Sequence, residues 1–339
     1  MLGLEATGNR RAALAGAAAM ALFPGLIVYS AVLQTETLYI VLVLCSCIWW
    51  ERARRETSIR SGAMLGFLAG FAALTRAVFF GFFPVMLGML VWSQRRNLRR
   101  ATTAVGAAVL LWCLVLAPWT VRNYTLHGTF VPVSTWGGIS LLLGNNPYST
   151  GTWSVKPGFD EWLKEQAEQR GLRIEQSNER QRSALGRELA VTFITEHPAE
   201  ALSLAVKKLY MFAVYPLAHS DSDIGVQAVC VAGDITLYVL AGLGFVALGN
   251  ARRQLLPWFV AIVFFTLLHV VMHVEARYRL PVVPFIALLA GEGVTLLMDT
   301  QRLKDFLHIR RHQRAVGAWV TIVALVYAYT ALQFFSGNI

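Results

Sequence analysis

The stretch "HVEARYRLPVVP" (residues 273–284) separates two apolar runs, and its reading decides the fold. Glu275, Arg277 and Arg279 crowd beside Tyr278 and ahead of Pro281 and Pro284. Each flanking run is long enough to cross a bilayer, and charged side chains are costly inside hydrocarbon. The stretch therefore reads as a connection that emerges from a membrane.

Composition agrees. Of 339 residues, 56% are hydrophobic and only 15% charged, which exceeds what a soluble core needs and points to a polytopic membrane protein. The net charge of +10 comes from short basic clusters between apolar runs, the pattern of cytoplasmic loops rather than of a nucleic-acid surface. No nucleic-acid partner is expected. Of the four cysteines, Cys45, Cys47 and Cys113 lie within apolar runs, and with Cys230 they show neither a disulfide framework nor paired metal spacing. The redox compartment stays open.

Apolar segments near 12–33, 35–50, 61–75, 77–92, 101–119, 228–249, 255–273, 280–298 and 315–335 predict about nine transmembrane helices. Arg10/Arg11, Arg52 to Arg60, Arg95 to Arg100, Arg252/Arg253 and Arg302 to Arg314 fall at every second connection. That alternation predicts a cytoplasmic N-terminus and an extracytoplasmic C-terminus. "LQTETLY" (33–39), "LTRAV" (74–78), the segment from 119 to 227 and the opening stretch then share the outer side. Three regions result: N-terminal transmembrane helices over 1–118, an extracytoplasmic loop region over 119–227, and C-terminal transmembrane helices over 228–339.

The long connection begins with a Gly-, Asn- and aromatic-rich stretch that predicts an ordered loop lying against the membrane. From 158 to 196, polar sequence with apolar residues at helical spacing predicts one or two helices, with a break near Gly171. "HPAEALSLAVKKLYMFAVYP" (197–216) carries Lys207 and Lys208 at its centre. It reads as a helix on the outer surface with both lysines at the headgroups.

Arg277 and Arg279 stand just before a helix that starts near Leu280, where unpaired N–H groups add partial positive charge. Two readings stay open: an anion site for a lipid-linked phosphate at the membrane surface, or arginines that snorkel while Glu275 neutralises them. Arg76 and Arg122 sit at outer turns, where each alone reads as an interfacial anchor and several together as a cationic cavity. Glu36 opens a helix, so it caps the dipole or serves as a catalytic carboxylate. His269 and His273 have the i, i+4 spacing of a helical metal pair but lack a firm third ligand, so no metal site is assigned. Asn145 and Asn146, with Gly137, Gly138 and Gly144, suit turns first and a sugar second.

"APWTVRNYTLHGTFVPVSTWGGISLLLGNNP" followed by "EARYRLPVVPFIALLAG" resembles the polytopic glycosyltransferases of the C-type fold, the group of protein O-mannosyltransferases and the lipid A aminoarabinose transferase. "FPGLIVYSAVLQTETLY" and "GFLAGFAALTRAV" match the same group in the same order. The resemblance implies an all-helical membrane enzyme of hexosyl or pentosyl transfer. It would take sugar from a polyprenyl-phosphate donor and pass it to a lipid, glycan or protein acceptor on the outer face. It places Arg277, Tyr278, Arg279, Arg76 and Arg122 around the carrier phosphate, and Asn123, Tyr124, Asn145 and Asn146 in loops near sugar or acceptor. It implies a multi-pass protein of a bacterial plasma (inner) membrane, in contact with membrane lipids. It assigns no cofactor and leaves a divalent metal open.

One departure stands beside it. Members of the group begin with further helices, and their first outer loop carries an acidic residue that this chain does not match. "LGLEATGNRRAALAG" resembles an internal connection, so about four N-terminal helices are expected to be missing. Glu36 is then the one candidate for the catalytic acid. A non-catalytic membrane protein and a transporter or flippase of lipid-linked sugars are the rival readings; the latter should show broken helices or repeated halves.

Overall fold

The computed structural model describes residues 1–214 and 224–335. Within them lie sixteen α-helices and no β-strand: α1 Leu2–Thr7, α2 Arg10–Ala21, α3 Pro24–Ser30, α4 Glu36–Glu56, α5 Ile59–Thr75, α6 Val78–Ser93, α7 Leu98–His127, α8 Gly137–Gly144, α9 Phe159–Glu168, α10 Glu179–Glu196, α11 Pro198–Val214, α12 Ile224–Ala247, α13 Leu256–Val271, α14 Val283–Met298, α15 Thr300–His308 and α16 Arg310–Phe335.

Three stretches are long and apolar enough to cross a membrane alone: Ala101–His127 of α7, α12, and Arg310–Leu332 of α16. Two bent pairs raise this to five, α2 with α3 at 55° and α14 with α15 at 100°. Helices α5, α6 and α13 are apolar but shorter, and α4 ends in the charged run Glu51–Glu56. The chain is an all-helical, multi-pass membrane protein.

Local chemistry sets the helix ends. The segment expected as one helix over 12–33 is broken, because Pro24 lacks the N–H that would continue α2 and instead sits in the first turn of α3. The helix expected to end at Pro118 runs through it to His127 and stops only at Gly128, whose φ of 65° ends it in the left-handed region. Arg122, Asn123 and Tyr124 are therefore helical rather than in a turn. The expected break near Gly171 falls between α9 and α10, with Gly171 at φ 69°. A capping box of Asn178 and Gln181 then starts α10.

Small residues let the helices approach. Gly62 and Gly66 of α5 face Ala104 and Ala108 of α7 so closely that a Cβ on either glycine would collide with an α7 carbonyl. In lipid, where apolar burial alone drives no association, such close backbone contact is the main attraction. The main core is aromatic: Trp50 donates to the Met86 carbonyl at 2.8 Å and packs on Trp258, which stacks on Phe285. A second, smaller core joins α8, α9 and α10 through Leu142, Phe159, Leu185 and Leu189.

Polar groups gather at both ends of the bundle. At one, Glu51 binds Arg54 and Arg55, and Glu5 pairs with Arg52 and Arg55. At the other, the start of α4, the end of α5 and the link between α13 and α14 meet under α8 and α11.

Candidate functional site

A cavity of about 530 Å3 opens at that second end, walled by Arg76, Trp136, Ser140, His269, His273 and Tyr278 among others. Arg76 and Tyr278 line this cavity, and Glu36 and Arg277 stand behind them; helix ends and a turn place all four. Arg76 caps α5 in extended conformation, Glu36 is the first residue of α4, and Arg277 and Tyr278 lie in the 3-10 turn Ala276–Arg279. Glu36 is buried, and its Oε1 forms an ion pair with Arg76 and lies 3.7 Å from Arg277 Nε. Glu36 Oε2 has no hydrogen-bond partner. Arg277 Nε also lies 2.9 Å from Glu275 Oε2, and its Nη1 donates to Gln34 Oε1 at 3.3 Å. Both guanidinium groups lie over the Tyr278 ring, at 5.5 Å for Arg76 and 5.7 Å for Arg277. Residues distant in sequence thus form one cluster of two arginines, Arg76 and Arg277, with two carboxylates, Glu36 and Glu275.

Tyr278 is held on two sides. Its ring stacks on His269 at 4.5 Å, and its hydroxyl lies 3.2 Å from His273 Nε2. The other His273 nitrogen, Nδ1, lies 3.3 Å from the Ser140 carbonyl oxygen, which can only accept. Nδ1 therefore carries the proton, and Nε2 accepts from the Tyr278 hydroxyl. Burial lowers the His273 pKa, aided by the Arg277 and Lys208 charges and opposed by the Ser140 bond, which keeps the ring neutral. Burial, reinforced by Glu275, raises Tyr278, so the phenol keeps its proton. His269 stacks between Tyr278 and Phe212. Among the described residues no three His, Cys, Asp or Glu side chains come together as a metal would need.

Arg279, expected beside Arg277 at the phosphate, is placed elsewhere. It is 2% exposed, its Nη2 lies 2.7 Å from Asp234 Oδ2 of α12, and its Nη1 donates to the Ala213 carbonyl. The tight turn sends Arg277 toward Glu36 and Glu275 and Arg279 into the bundle. Asp234 was legible as a carboxylate in an apolar helix, a signal that asks for a cationic partner.

Lys208 also departs from its expected place. Lys207 is exposed, but Lys208 is fully buried, and its Nζ lies 3.1 Å from Gly144 O, 3.1 Å from Asn145 Oδ1, 3.4 Å from Val271 O and 2.9 Å from Met272 O. The chain cannot snorkel, because α11 lies over these carbonyls. Burial lowers its pKa to about 8, which still leaves the ammonium protonated at neutral pH.

The loop asparagines are structural ties. Asn145 Nδ2 donates to Leu141 O and Val271 O, both at 2.8 Å, and Asn146 joins Leu142 O to the Tyr148 N–H. Gly144 is required here, since a Cβ would strike the Met272 carbonyl. Asn123 is buried and donates to Val131 O at 3.0 Å, fixing the segment after α7. Arg122 rests on Trp119 at 4.6 Å and Tyr124 is exposed; neither lines the cavity. Structure thus unites Glu36, Arg76, Arg277 and Tyr278, and sets Arg122, Tyr124, Arg279, Asn123, Asn145 and Asn146 apart from them.

Residues 5–121 match the family described as dolichyl-phosphate-mannose-protein mannosyltransferase. This supports, over that part of the chain, the resemblance drawn from the motifs. No curated protein and no solved structure matches it.

Proposed function

From a chain whose residues 5–121 match the mannosyltransferase family, we propose a membrane glycosyltransferase that takes sugar from a polyprenyl-phosphate carrier and passes it to an acceptor outside the cytoplasm. The observation that carries the proposal is the convergence of Arg76 and Arg277 on the ring of Tyr278, beside a cavity that Arg76 and Tyr278 line. Paired guanidinium groups recognise phosphate through charge-assisted hydrogen bonds, and a lipid phosphate sits at the depth where helices end.

In the reaction, the acceptor oxygen bonds to the anomeric carbon of the sugar as the bond from that carbon to the carrier phosphate oxygen breaks. The electron pair leaves with the phosphate, and the acceptor proton passes to a base. Arg76 and Arg277 stabilise the charge gathering on the phosphate, while Tyr278, held by His273, supports both guanidinium groups with its ring. Glu36 is held by Arg76, so its role here is to aim the arginines.

We further propose about nine spans in the C-type glycosyltransferase arrangement, with the N-terminus cytoplasmic and the region 119–227 outside, in a bacterial plasma membrane. The clustering of Arg52, Arg54 and Arg55 at the end opposite the cavity supports that orientation. Helix α11 then lies along the outer interface, and it is a lysine seated in a polar cage, rather than lysines at the headgroups, that supports the placement. Residues 215–223 of that connection lie outside the described residues.

The commitment of Glu36 to arginines also favours a second reading, a carrier-binding protein without transferase activity. Equilibrium binding of a short-chain polyprenyl phosphate to the purified protein, against the uncharged polyprenol, tests what both share. Transfer of labelled sugar from a polyprenyl-phosphate donor separates them. Equal binding of phosphate and alcohol would overturn both.

A further inference from the structure

A second hollow, of about 500 Å3, adjoins the cavity and shares Ser134, Gly137 and Met272 with it. Its outer wall is one face of α10, where Arg180, Ser183, Ala184 and Arg187 follow at i, i+3, i+4 and i+7. Arg180 and Arg187 are exposed and form no ion pair among the described residues. Their neighbours are spoken for: Arg182 binds Ser177, Arg170 pairs with Glu188 at 2.8 Å, and Glu179 accepts from Thr135.

Both walls of the hollow offer hydroxyls. Thr129 lines the hollow, and its Oγ1 is buried without a hydrogen-bond partner. Ser183 Oγ accepts from the Gly138 N–H at 3.1 Å, so its own O–H remains to donate outward. Trp136, in the wall of the first cavity and between Thr135 and Gly137 of the hollow, stacks with Trp153, centroids 6.0 Å apart and both rings about half exposed. Exposed indole faces of this kind bind the apolar face of a sugar ring.

We propose that this hollow is the acceptor subsite and takes an acidic glycan, with a phosphate or carboxylate between Arg180 and Arg187 and a neighbouring sugar against the Trp136–Trp153 pair. The inference rests on the transferase reading and deepens it: the hollow shares Ser134, Gly137 and Met272 with the cavity that Arg76 and Tyr278 line, so an acceptor held there lies next to them. Two unpaired guanidinium groups select negative charge. Hydroxyls with exposed indoles favour a glycan over an acidic peptide.

The test is equilibrium binding to the purified full chain of glucose 6-phosphate, glucuronic acid, glucose and a glutamate-rich peptide, each with and without a short-chain polyprenyl phosphate. The charged sugars should bind roughly tenfold or more tightly than glucose, the expected gain from one charge-assisted hydrogen bond. R180Q/R187Q should erase that preference and leave polyprenyl phosphate binding unchanged. R173Q, at an exposed arginine away from the hollow, should keep it. Substitutions at such exposed positions leave folding intact, which a thermal melt checks. Equal binding of glucose and the charged sugars, an R180Q/R187Q protein that keeps the preference, an equal loss in R173Q, or tighter binding of the peptide would each overturn the proposal. Loss of polyprenyl phosphate binding in the native chain, with the Arg180/Arg187 preference intact, would remove the carrier reading and leave the anionic hollow standing.

Discussion

Lys208 Nζ lies 2.9 Å from the Met272 carbonyl oxygen, and through that bond α11 is tied to the end of α13 just ahead of His273. The same ammonium reaches Gly144 and Asn145, so one cation fixes α8, α11 and α13 to each other. A salt bridge would need a carboxylate, and here four oxygens share the charge instead.

Removing that cation should loosen the cavity floor. In K208M the methionine fills the same space but leaves carbonyl oxygens without a donor, at about 1–3 kcal/mol for each one stranded. A clear fall in thermal midpoint is expected, with K208R closer to wild type than K208M. Equal midpoints for wild type and K208M would show that the cage contributes nothing.

The Arg279–Asp234 pair is expected to be structural. R279Q strands Asp234 inside the bundle, a loss of about 3–5 kcal/mol, whereas R279M/D234L removes both charges and should recover most of it. If R279Q melts like wild type and instead loses polyprenyl phosphate binding, Arg279 belongs to the phosphate site after all.

His273 gives a pH dependence. Its folded pKa is lowered from 6.5, so the folded protein binds fewer protons than the unfolded chain below that value. The stabilisation is complete above about pH 6.5 and is lost as pH falls through the lowered folded pKa. The thermal midpoint of wild type should therefore drop on acidification below pH 6.5, more steeply than that of H273N. Parallel curves would remove His273 as the cause.

Sidedness can be read with single cysteines in a background free of the four native ones. Lys156 and Gln176 are exposed, whereas Ser149 and Ser177 are buried and would resist labelling for reasons unrelated to topology. K156C and Q176C should react with an impermeant thiol reagent in intact cells, and R96C only after lysis. The reverse pattern would invert the proposed orientation.

Helix positions were legible in the sequence because twenty-residue apolar runs and alternating basic clusters are properties of composition. Helix ends were less so. Pro118 reads as a stop, yet a helix tolerates one missing N–H where the following residues, through His127, contain no glycine. At the site, the structure brings Glu36, Arg76, Arg277 and Tyr278 together at helix ends and a turn. What the sequence concealed was direction. Nothing in "RYR" says that the first arginine faces the cavity and the second Asp234, or that Lys208, one residue from exposed Lys207, turns inward. Those outcomes depend on which carbonyls and carboxylates other helices bring within reach.

The central claim is that Arg76 and Arg277 hold the phosphate of a lipid carrier. The most direct measurement is the affinity of purified protein for a short-chain polyprenyl phosphate, compared between wild type and E36Q/R76Q/R277Q. That variant removes Glu36 together with both arginines, so no buried carboxylate is stranded at position 36; Glu275, which is partly exposed, keeps its charge. The account predicts an unchanged melt and an affinity reduced by roughly tenfold or more, the loss of at least one charge-assisted hydrogen bond. A variant that folds normally and binds the carrier as tightly as wild type would contradict it.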